Sequence, residues 1–250
     1  VTFNVVNDSA AVGELITTAL TGDSVTVQIG PRLARSPTTV ATGGVEFDYT
    51  AGGVTTVRAN GQFFRAVGAG LAQLVTVTQP TLTISPTSIG ARLQRATSGS
   101  LSATAVAGDT VTLKTTRPGV LRISPNDSTG FADSIQIGLG VGVSSFTYYI
   151  QGVDTVTADS VDVIATLPTF RPDTARFSVF TPVFDIIFLN TTGNTRTAND
   201  PFQVRTGSAS SPTAGISVED ELRFGHAPVT FNIVNDSAAV GELITTALTG

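Results

Sequence analysis

The chain has 250 residues, no cysteine, no methionine, a formal net charge of −5 and only 13% charged residues. Its abundance of Thr, Val, Ser, Ala and Gly is typical of short strands and polar turns rather than of long amphipathic helices. This composition excludes disulfide bonds, a basic surface for nucleic acid, and an apolar stretch long enough for membrane insertion.

The first 22 residues return almost unchanged near the other end of the sequence. Residues 1–22 read VTFNVVNDSAAVGELITTALTG, and residues 229–250 differ from them only where Val5 becomes Ile233. The offset between Val1 and Val229 is 228 residues. We expect one period, with a 22-residue overlap, of a longer polypeptide that holds several near-identical copies. Because methionine is absent, we do not expect Val1 to be a natural start.

A second, more diverged repeat lies inside this period. QPTLTI at 79–84 is echoed by TPVFDI at 181–186, so Pro80 and Pro182 are predicted to be equivalent inter-domain junctions. Upstream of each proline, Asp23-Ser24 matches Asp133-Ser134, and Phe64-Arg65 matches Phe170-Arg171. The sequence therefore predicts a complete domain at 81–182. It also predicts the C-terminal part of a longer domain at 1–80 and the N-terminal part of the next copy of that longer domain at 183–250.

The complete domain shows strand-like runs at roughly ten-residue spacing, as in β-sandwiches. The predicted strands are 82–85, 100–105, 110–115, 120–124, 134–137, 145–151, 160–166 and 175–180. Val111 and Leu113 alternate with polar neighbours, as do Phe146, Tyr148 and Ile150, so these residues are predicted to face a core and Lys114 to face solvent. No segment has sustained helical periodicity. The predicted fold class is all-β.

Several short motifs of the complete domain form a recognisable series: TVT at 110–112, PGV at 118–120, SI at 134–135, FTYYIQG at 146–152 and VIAT at 163–166. The series resembles the bacterial immunoglobulin-like (Big-type) tandem-repeat domains of large cell-surface and extracellular proteins. The resemblance extends to 1–80 and is poor over 183–228. It implies tandem immunoglobulin-like β-sandwich domains with Greek-key connections, two per 228-residue repeat. It also implies an extracellular or cell-surface location and supplies no catalytic residue.

Candidate chemical sites are few. The chain has one histidine, His226, and no cysteine, so we expect no catalytic triad, no enzyme activity and no cofactor. The one candidate metal site is a calcium site at the acidic run Glu219, Asp220 and Glu221. Calcium needs six to eight converging oxygens, and the D-x-D-x-D-G spacing is absent. A solvated turn or the start of a helix is therefore the preferred interpretation of the run.

The predicted function is that of a structural repeat unit in a long extracellular bacterial filament or fibre. Its expected partners are neighbouring copies of itself, with no nucleic acid and no membrane insertion. The alternative is a stalk or a glycan-binding module of a large surface adhesin, with glycans as partners of the loop-rich region from Asn190 to Gly215. That region contains a single aromatic residue, Phe202, for stacking on a sugar.

Overall fold

The computed structural model describes residues 1–68, 72–154, 158–209, 211 and 214–245. Within these ranges the chain forms short β-strands and one 3-10 turn at Val40–Thr42, with no α-helix. The described helical structure includes nothing long and apolar enough to cross a membrane. The predicted all-β class is therefore confirmed, with several sheets arranged as in β-sandwiches.

The first segment forms two facing sheets. Its strands are β1 (Thr2–Asn7), β2 (Gly13–Ile16), β3 (Thr21–Gly22), β4 (Ser24–Gln28), β5 (Glu46–Tyr49), β6 (Gly53–Gly61) and β7 (Gln73–Val77). One sheet has the order β4-β1-β6-β7 and the other β3-β2-β5, with antiparallel neighbours throughout. Leu15 and Val25 are buried, whereas Val5, Val57 and Val75 are only half-buried.

The central segment forms a sandwich of two larger sheets. Its strands are β8 (Leu82–Ile84), β9 (Ser88–Gly90), β10 (Leu93–Leu101), β11 (Thr110–Thr115), β12 (Leu121–Ser124), β13 (Ser134–Gly138), β14 (Ser145–Gly152), β15 (Ala158–Thr166) and β16 (Asp173–Phe180). One sheet runs β12-β14-β10, with β8 also paired to β10, and the other runs β13-β11-β15-β16-β9. Strand β9 is parallel to β16, and the other pairs are antiparallel.

The core of the central sandwich follows the predicted alternation. Val111 and Leu113 from one sheet and Tyr148 and Ile150 from the other are completely buried, while Lys114 is exposed. These side chains belong to one continuous apolar cluster. The alternation predicted for β11 and β14 is confirmed.

Two features of the central sandwich differ from the prediction. The strand predicted at 100–105 is wrong, because β10 occupies Leu93–Leu101 and the chain then leaves the sheet. Two residues obscure the apolar alternation of β10. Gln94 is polar but buried, and Gly99 has no side chain, since a Cβ there would lie 2.2 Å from the Phe146 ring. The short strand β9 was not predicted, because three residues are too few to show a period.

The third segment forms a three-stranded sheet and then rejoins the central sandwich. The sheet consists of β17 (Val183–Ile187), β18 (Gln203–Ala209) and β19 (Ile216–Glu219), and β20 (Glu221–Leu222) pairs with β10. The region predicted to be loop-rich, Asn190 to Gly215, therefore contains strand β18, although its residues 210, 212 and 213 lie outside the described residues. The loop before β18 is closed by Asn190, whose backbone and side-chain amides each donate to the Asp200 carboxylate at 2.6 Å.

The first and central segments share one strand arrangement. The order β4-β1-β6-β7 corresponds to β13-β11-β15-β16. The ladders also share their register at the end of the first strand. There the Asn7 N–H donates to the Asp23 carbonyl (2.7 Å), as the Thr115 N–H donates to the Asp133 carbonyl (2.8 Å). The central sandwich extends this arrangement with β9 beside β16 and β10 beside β14. Among the described strands of the first segment, none pairs with β7 on the side away from β6 or with β5 on the side away from β2.

The two copies of the repeated sequence fold differently. Residues 1–16 contain β1 and β2, whereas the described part of the second copy, 229–245, contains no strand, and residues 246–250 lie outside the described residues. The local turn is common to both. Asn7 Nδ2 donates to the Ser9 carbonyl (2.9 Å), and Asn235 Nδ2 donates to the Ser237 carbonyl (3.1 Å). Strand β1 is held by β4 and β6.

The buried tyrosine of the core yields a pH-dependent prediction. Burial raises the pKa of the Tyr148 phenol far above its ordinary value of about 10. As pH rises past about 10, the unfolded chain therefore ionises at this position while the folded chain does not, and stability is lost. We expect Tyr148→Phe to reduce the alkaline loss of stability by up to about 1.4 kcal/mol per pH unit. Urea unfolding at a series of pH values measures this difference. Tyr49→Phe, which removes the hydroxyl of an exposed tyrosine, is the matched control; equal profiles for all three proteins would contradict the prediction.

Candidate functional site at the junction after the central sandwich

A buried ion pair joins the third segment to the central sandwich. Asp220 lies between β19 and β20 with its carboxylate fully buried, and Arg95 on β10 is only 17% exposed. Arg95 Nε lies 2.5 Å from Asp220 Oδ1, and Arg95 Nη2 lies 2.8 Å from Oδ2. A planar guanidinium that meets both carboxylate oxygens forms one of the strongest hydrogen-bonded ion pairs in proteins.

A serine extends this ion pair to the other sheet of the central sandwich. The Ser208 hydroxyl on β18 is completely buried and donates to Asp220 Oδ2. The same hydroxyl oxygen accepts the Gly90 N–H from β9 at 2.6 Å. Asp220 is also held by its backbone, since its carbonyl accepts the Thr206 hydroxyl at 3.0 Å. One connected network therefore links β9 and β10 of the central sandwich to β18, which lies in the third segment.

Backbone pairing between β20 and β10 reinforces this network. Leu222 and Glu221 pair with Leu93 and Gln94 at the start of β10, and Leu222 packs against the central core. Beyond this pairing, the Arg223 N–H donates to the Arg92 carbonyl at 2.9 Å. The Phe224 N–H donates to Gln94 Oε1 at 2.7 Å. The segment that follows the central sandwich thus contributes backbone to its sheet.

A second ion pair lies beside the added strand. Arg223 Nη2 lies 2.8 Å from Asp154 Oδ2, and His226 Nε2 lies 3.9 Å from the same oxygen. The side chain of His226 is only 15% exposed. The structure therefore places the single histidine against the junction.

The two predicted junction prolines lie in different surroundings. Pro182 packs closely against the central sandwich, where a Cβ on Gly90 would lie 3.1 Å from Pro182 Cβ. It also lines a cavity of about 90 Å³ together with Leu93, Phe184, Leu222 and Phe231.

At Pro80, the backbone carbonyl accepts the Arg171 N–H of the central sandwich at 2.7 Å. Within the described residues, no hydrogen bond or ion pair joins 1–77 to 82–180. Among the described residues, the hydrogen bonds and ion pairs of the second junction therefore have no counterpart at the first.

The three residues of the acidic run have separate partners. Glu219 Oε1 lies 2.9 Å from Arg205 Nη1, and Arg205 also reaches Asp185 at 3.3 Å. The hydrogen bonds that Arg205 donates to the carboxylates of Glu219, first, and Asp185, second, raise the pKa of its guanidinium. Glu221 lies 3.5 Å from the side-chain amide of Gln94. The preferred interpretation of a solvated turn or a helical start is wrong, because strands lie on both sides of a buried Asp220.

The described part of the chain holds no group of three or more acidic or histidine side chains placed to bind a metal. Sequence reasoning missed Arg95 and Ser208 as members of the network. The one available signal was Arg95 itself, a charged residue within a run, LQRATSGSL, that otherwise lacks charge.

Comparison with known proteins gives little further information. No family model matches the sequence, and no curated protein matches it. Among solved structures, the chain is similar to one described as surface layer protein SbsC, domains 4–9, with 12% identity and a TM-score of 0.32. The similarity covers 87% of this chain and 29% of that one, so the chain spans less than a third of its length.

The ion pair can be tested by removing its cation. Arg95→Met leaves the Asp220 carboxylate buried with Ser208 as its remaining side-chain donor. Because an unpaired buried charge is strongly unfavourable, we expect docking of the third segment to lose about 3 kcal/mol. Hydrogen–deuterium exchange of the β18 and β20 amides measures the loss.

The control is Arg176→Met, which removes an exposed arginine 3.8 Å from Asp162. Exposed pairs at such distances contribute little, so exchange at β18 and β20 should not change. The double variant Arg95→Met with Asp220→Leu should regain part of the lost protection, because it removes both buried charges. Unchanged exchange in Arg95→Met would show that the ion pair does not hold the junction.

Proposed function

We propose that the chain is a structural repeat unit of a long extracellular bacterial filament or fibre, built from tandem immunoglobulin-like β-sandwich domains, two per 228-residue repeat. The observation that supports this most strongly is the interlocked second junction. There β20 extends the sheet of the central sandwich, and Arg95 and Asp220 form a desolvated ion pair across the boundary.

Such a junction suits a protein that transmits force along its length. A pull on the third segment acts on the β20–β10 ladder, the ion pair and the Ser208 hydrogen bonds together. Asp220 and Ser208 are fully buried and Arg95 nearly so, and separation of the third segment also exposes apolar surface around Leu222. In a tandem array each period then contains one stiff joint near Pro182 and one looser joint near Pro80, and repetition supplies length.

Shared architecture supports the division into two domain types. The sheet order of the first segment equals that of part of the central sandwich, including the hydrogen bonds at Asn7 and Thr115. In this role the chain needs no cofactor and no catalytic residue, and its partners are neighbouring copies of itself. A stalk that carries a distant tip would use the same joints but would stand alone rather than pack into a filament.

The difference between the joints can be measured directly. Because the chain has no cysteine, pairs of spin labels can be placed at single introduced cysteines. Lys114, Ser217 and Asn60 are exposed positions in the central, third and first segments. We expect a narrow distance distribution for the pair at 114 and 217 and a broad one for the pair at 114 and 60, recorded by pulsed electron paramagnetic resonance in dilute samples.

Arg95→Met provides the matched comparison in the same experiment. It should broaden the distribution between 114 and 217 and leave that between 114 and 60 unchanged. Two equally broad distributions in the unsubstituted protein would contradict a stiff second junction.

Imaging of the native material tests the function itself. Electron microscopy should show filaments whose axial repeat corresponds to one 228-residue unit of two globular domains. Isolated flexible strings without such a repeat would rule out the filament and leave the stalk.

A further inference from the structure

Four asparagines of the chain lie in the sequence Asn-x-Ser/Thr, in which x is not proline. This sequence is the acceptor pattern for N-linked glycans, which are attached where the side-chain amide is accessible at the surface of an exported protein. The same residue types also occur where an asparagine side chain closes a turn, so the surroundings of each side chain distinguish the two cases. The four residues are Asn7, Asn126, Asn190 and Asn235.

Three of these asparagines use the side-chain nitrogen inside the fold. Asn7 is 2% exposed, and its Nδ2 donates to the Ser9 and Gly13 carbonyls at 2.9 and 2.6 Å. Asn235 Nδ2 donates to the carbonyls two and six residues further along the chain, as Asn7 does. Asn190 Nδ2 donates at 2.6 Å to the carboxylate that closes its loop. Each of these nitrogens would have to lose its hydrogen bonds before it could react with a sugar.

Asn126 has the opposite arrangement. It is half-buried in the turn between β12 and β13, and its neighbours at 125 and 127–130 are exposed. Its Oδ1 accepts the Ser128 N–H at 3.1 Å and the Thr129 N–H at 2.7 Å, and the Thr129 hydroxyl donates to it at 3.1 Å. Among the described residues, nothing accepts a hydrogen bond from Asn126 Nδ2. The amide is therefore held through its oxygen, and its nitrogen has no partner.

The turn that carries Asn126 is itself held in place. The Ser124 hydroxyl donates to the Thr129 carbonyl at 2.5 Å, and Gln94 Nε2 donates to the Asp127 carbonyl at 2.9 Å. These bonds fix the turn at both sides of the acceptor residue. The side-chain nitrogen is thus presented from a defined position on the central sandwich.

A polar cavity beside the turn provides room for an attached sugar. Its volume is about 200 Å³, and Asp127, which directly follows the acceptor, lines it together with Gln94, Tyr149 and Glu221. Tyr149 contributes an aromatic ring with a polar tip. The amide and carboxylate side chains contribute acceptors for sugar hydroxyls.

We propose that Asn126 is an N-glycosylation site whose donor is an oligosaccharide activated as a lipid-linked diphosphate. Asn126 Nδ2 attacks the anomeric carbon of the first sugar, and a C–N bond forms as the bond from that carbon to the diphosphate oxygen breaks. The lipid diphosphate leaves with the bonding electron pair, and one Nδ2 proton passes to a base of the transferase. The exposed Ser128 hydroxyl makes no hydrogen bond among the described residues and is accessible to that enzyme.

This inference goes beyond the structural role and does not depend on it. A filament and a stalk are both exported and both meet such a transferase. A chain without a glycan would leave both functions standing.

Transfer to the folded protein tests the proposal. The 250-residue chain is incubated in native buffer with a single-subunit oligosaccharyltransferase and a lipid-linked oligosaccharide, and mass spectrometry of its peptides locates the glycan. We expect one glycan per chain, at Asn126. Asn126→Gln should abolish the modification. Ser128→Ala should abolish it too, although the asparagine is retained. Asn190→Gln, in another exposed loop, is the matched control and should leave it unchanged.

Short peptides that each contain one of the four sequences provide the second arm. All four should accept the glycan, because none of the folded-state hydrogen bonds restrains them, and an unchanged circular dichroism spectrum verifies that the variants fold. A folded chain that accepts no glycan would overturn the proposal. Transfer to Asn7 or Asn190 as readily as to Asn126 would overturn it, and so would native material in which the peptide containing Asn126 carries no sugar.

Discussion

A β-strand has no internal hydrogen bonds, so its backbone must be satisfied by neighbouring strands, and much of this molecule follows from that constraint. Strand β1 illustrates this, since it pairs with β4 on one side and with β6 on the other. The turn made by Asn7 recurs at Asn235 because its hydrogen bonds are local. The turn is therefore specified by nearby residues, whereas β1 is completed by strands from elsewhere in the first segment.

The second junction meets the same requirement between the third segment and the central sandwich. Strand β20 has only two residues, and it is stable as a strand because β10 offers an edge at Leu93 and Gln94. The Arg95–Asp220 pair adds selectivity more than raw stability, because desolvation offsets much of the attraction between buried charges. An apolar surface tolerates many alignments of the added strand. A carboxylate that needs both Arg95 and Ser208 is satisfied in one alignment.

The sequence was informative where one strand carries its own pattern. The alternation in β11 and β14 identified Val111, Leu113 and Tyr148 as core residues because each strand has one buried and one exposed face. The short strand β9 carries no such pattern, and Gln94 interrupts it in β10. The junction network was beyond prediction for a different reason. Arg95 and Asp220 are separated by 125 residues, and nothing in either local sequence indicates that they meet.

The near-identity of residues 1–17 and 229–245 also bears on how such a chain reaches its native state. Two interchangeable copies of β1 can compete for the same site between β4 and β6, which is the usual origin of domain-swapped misfolding in repeat proteins. The central sandwich, with its own diverged sequence and continuous core, lies between the copies. During synthesis it can close before the second copy emerges, so that the earlier copy is already paired when its competitor appears.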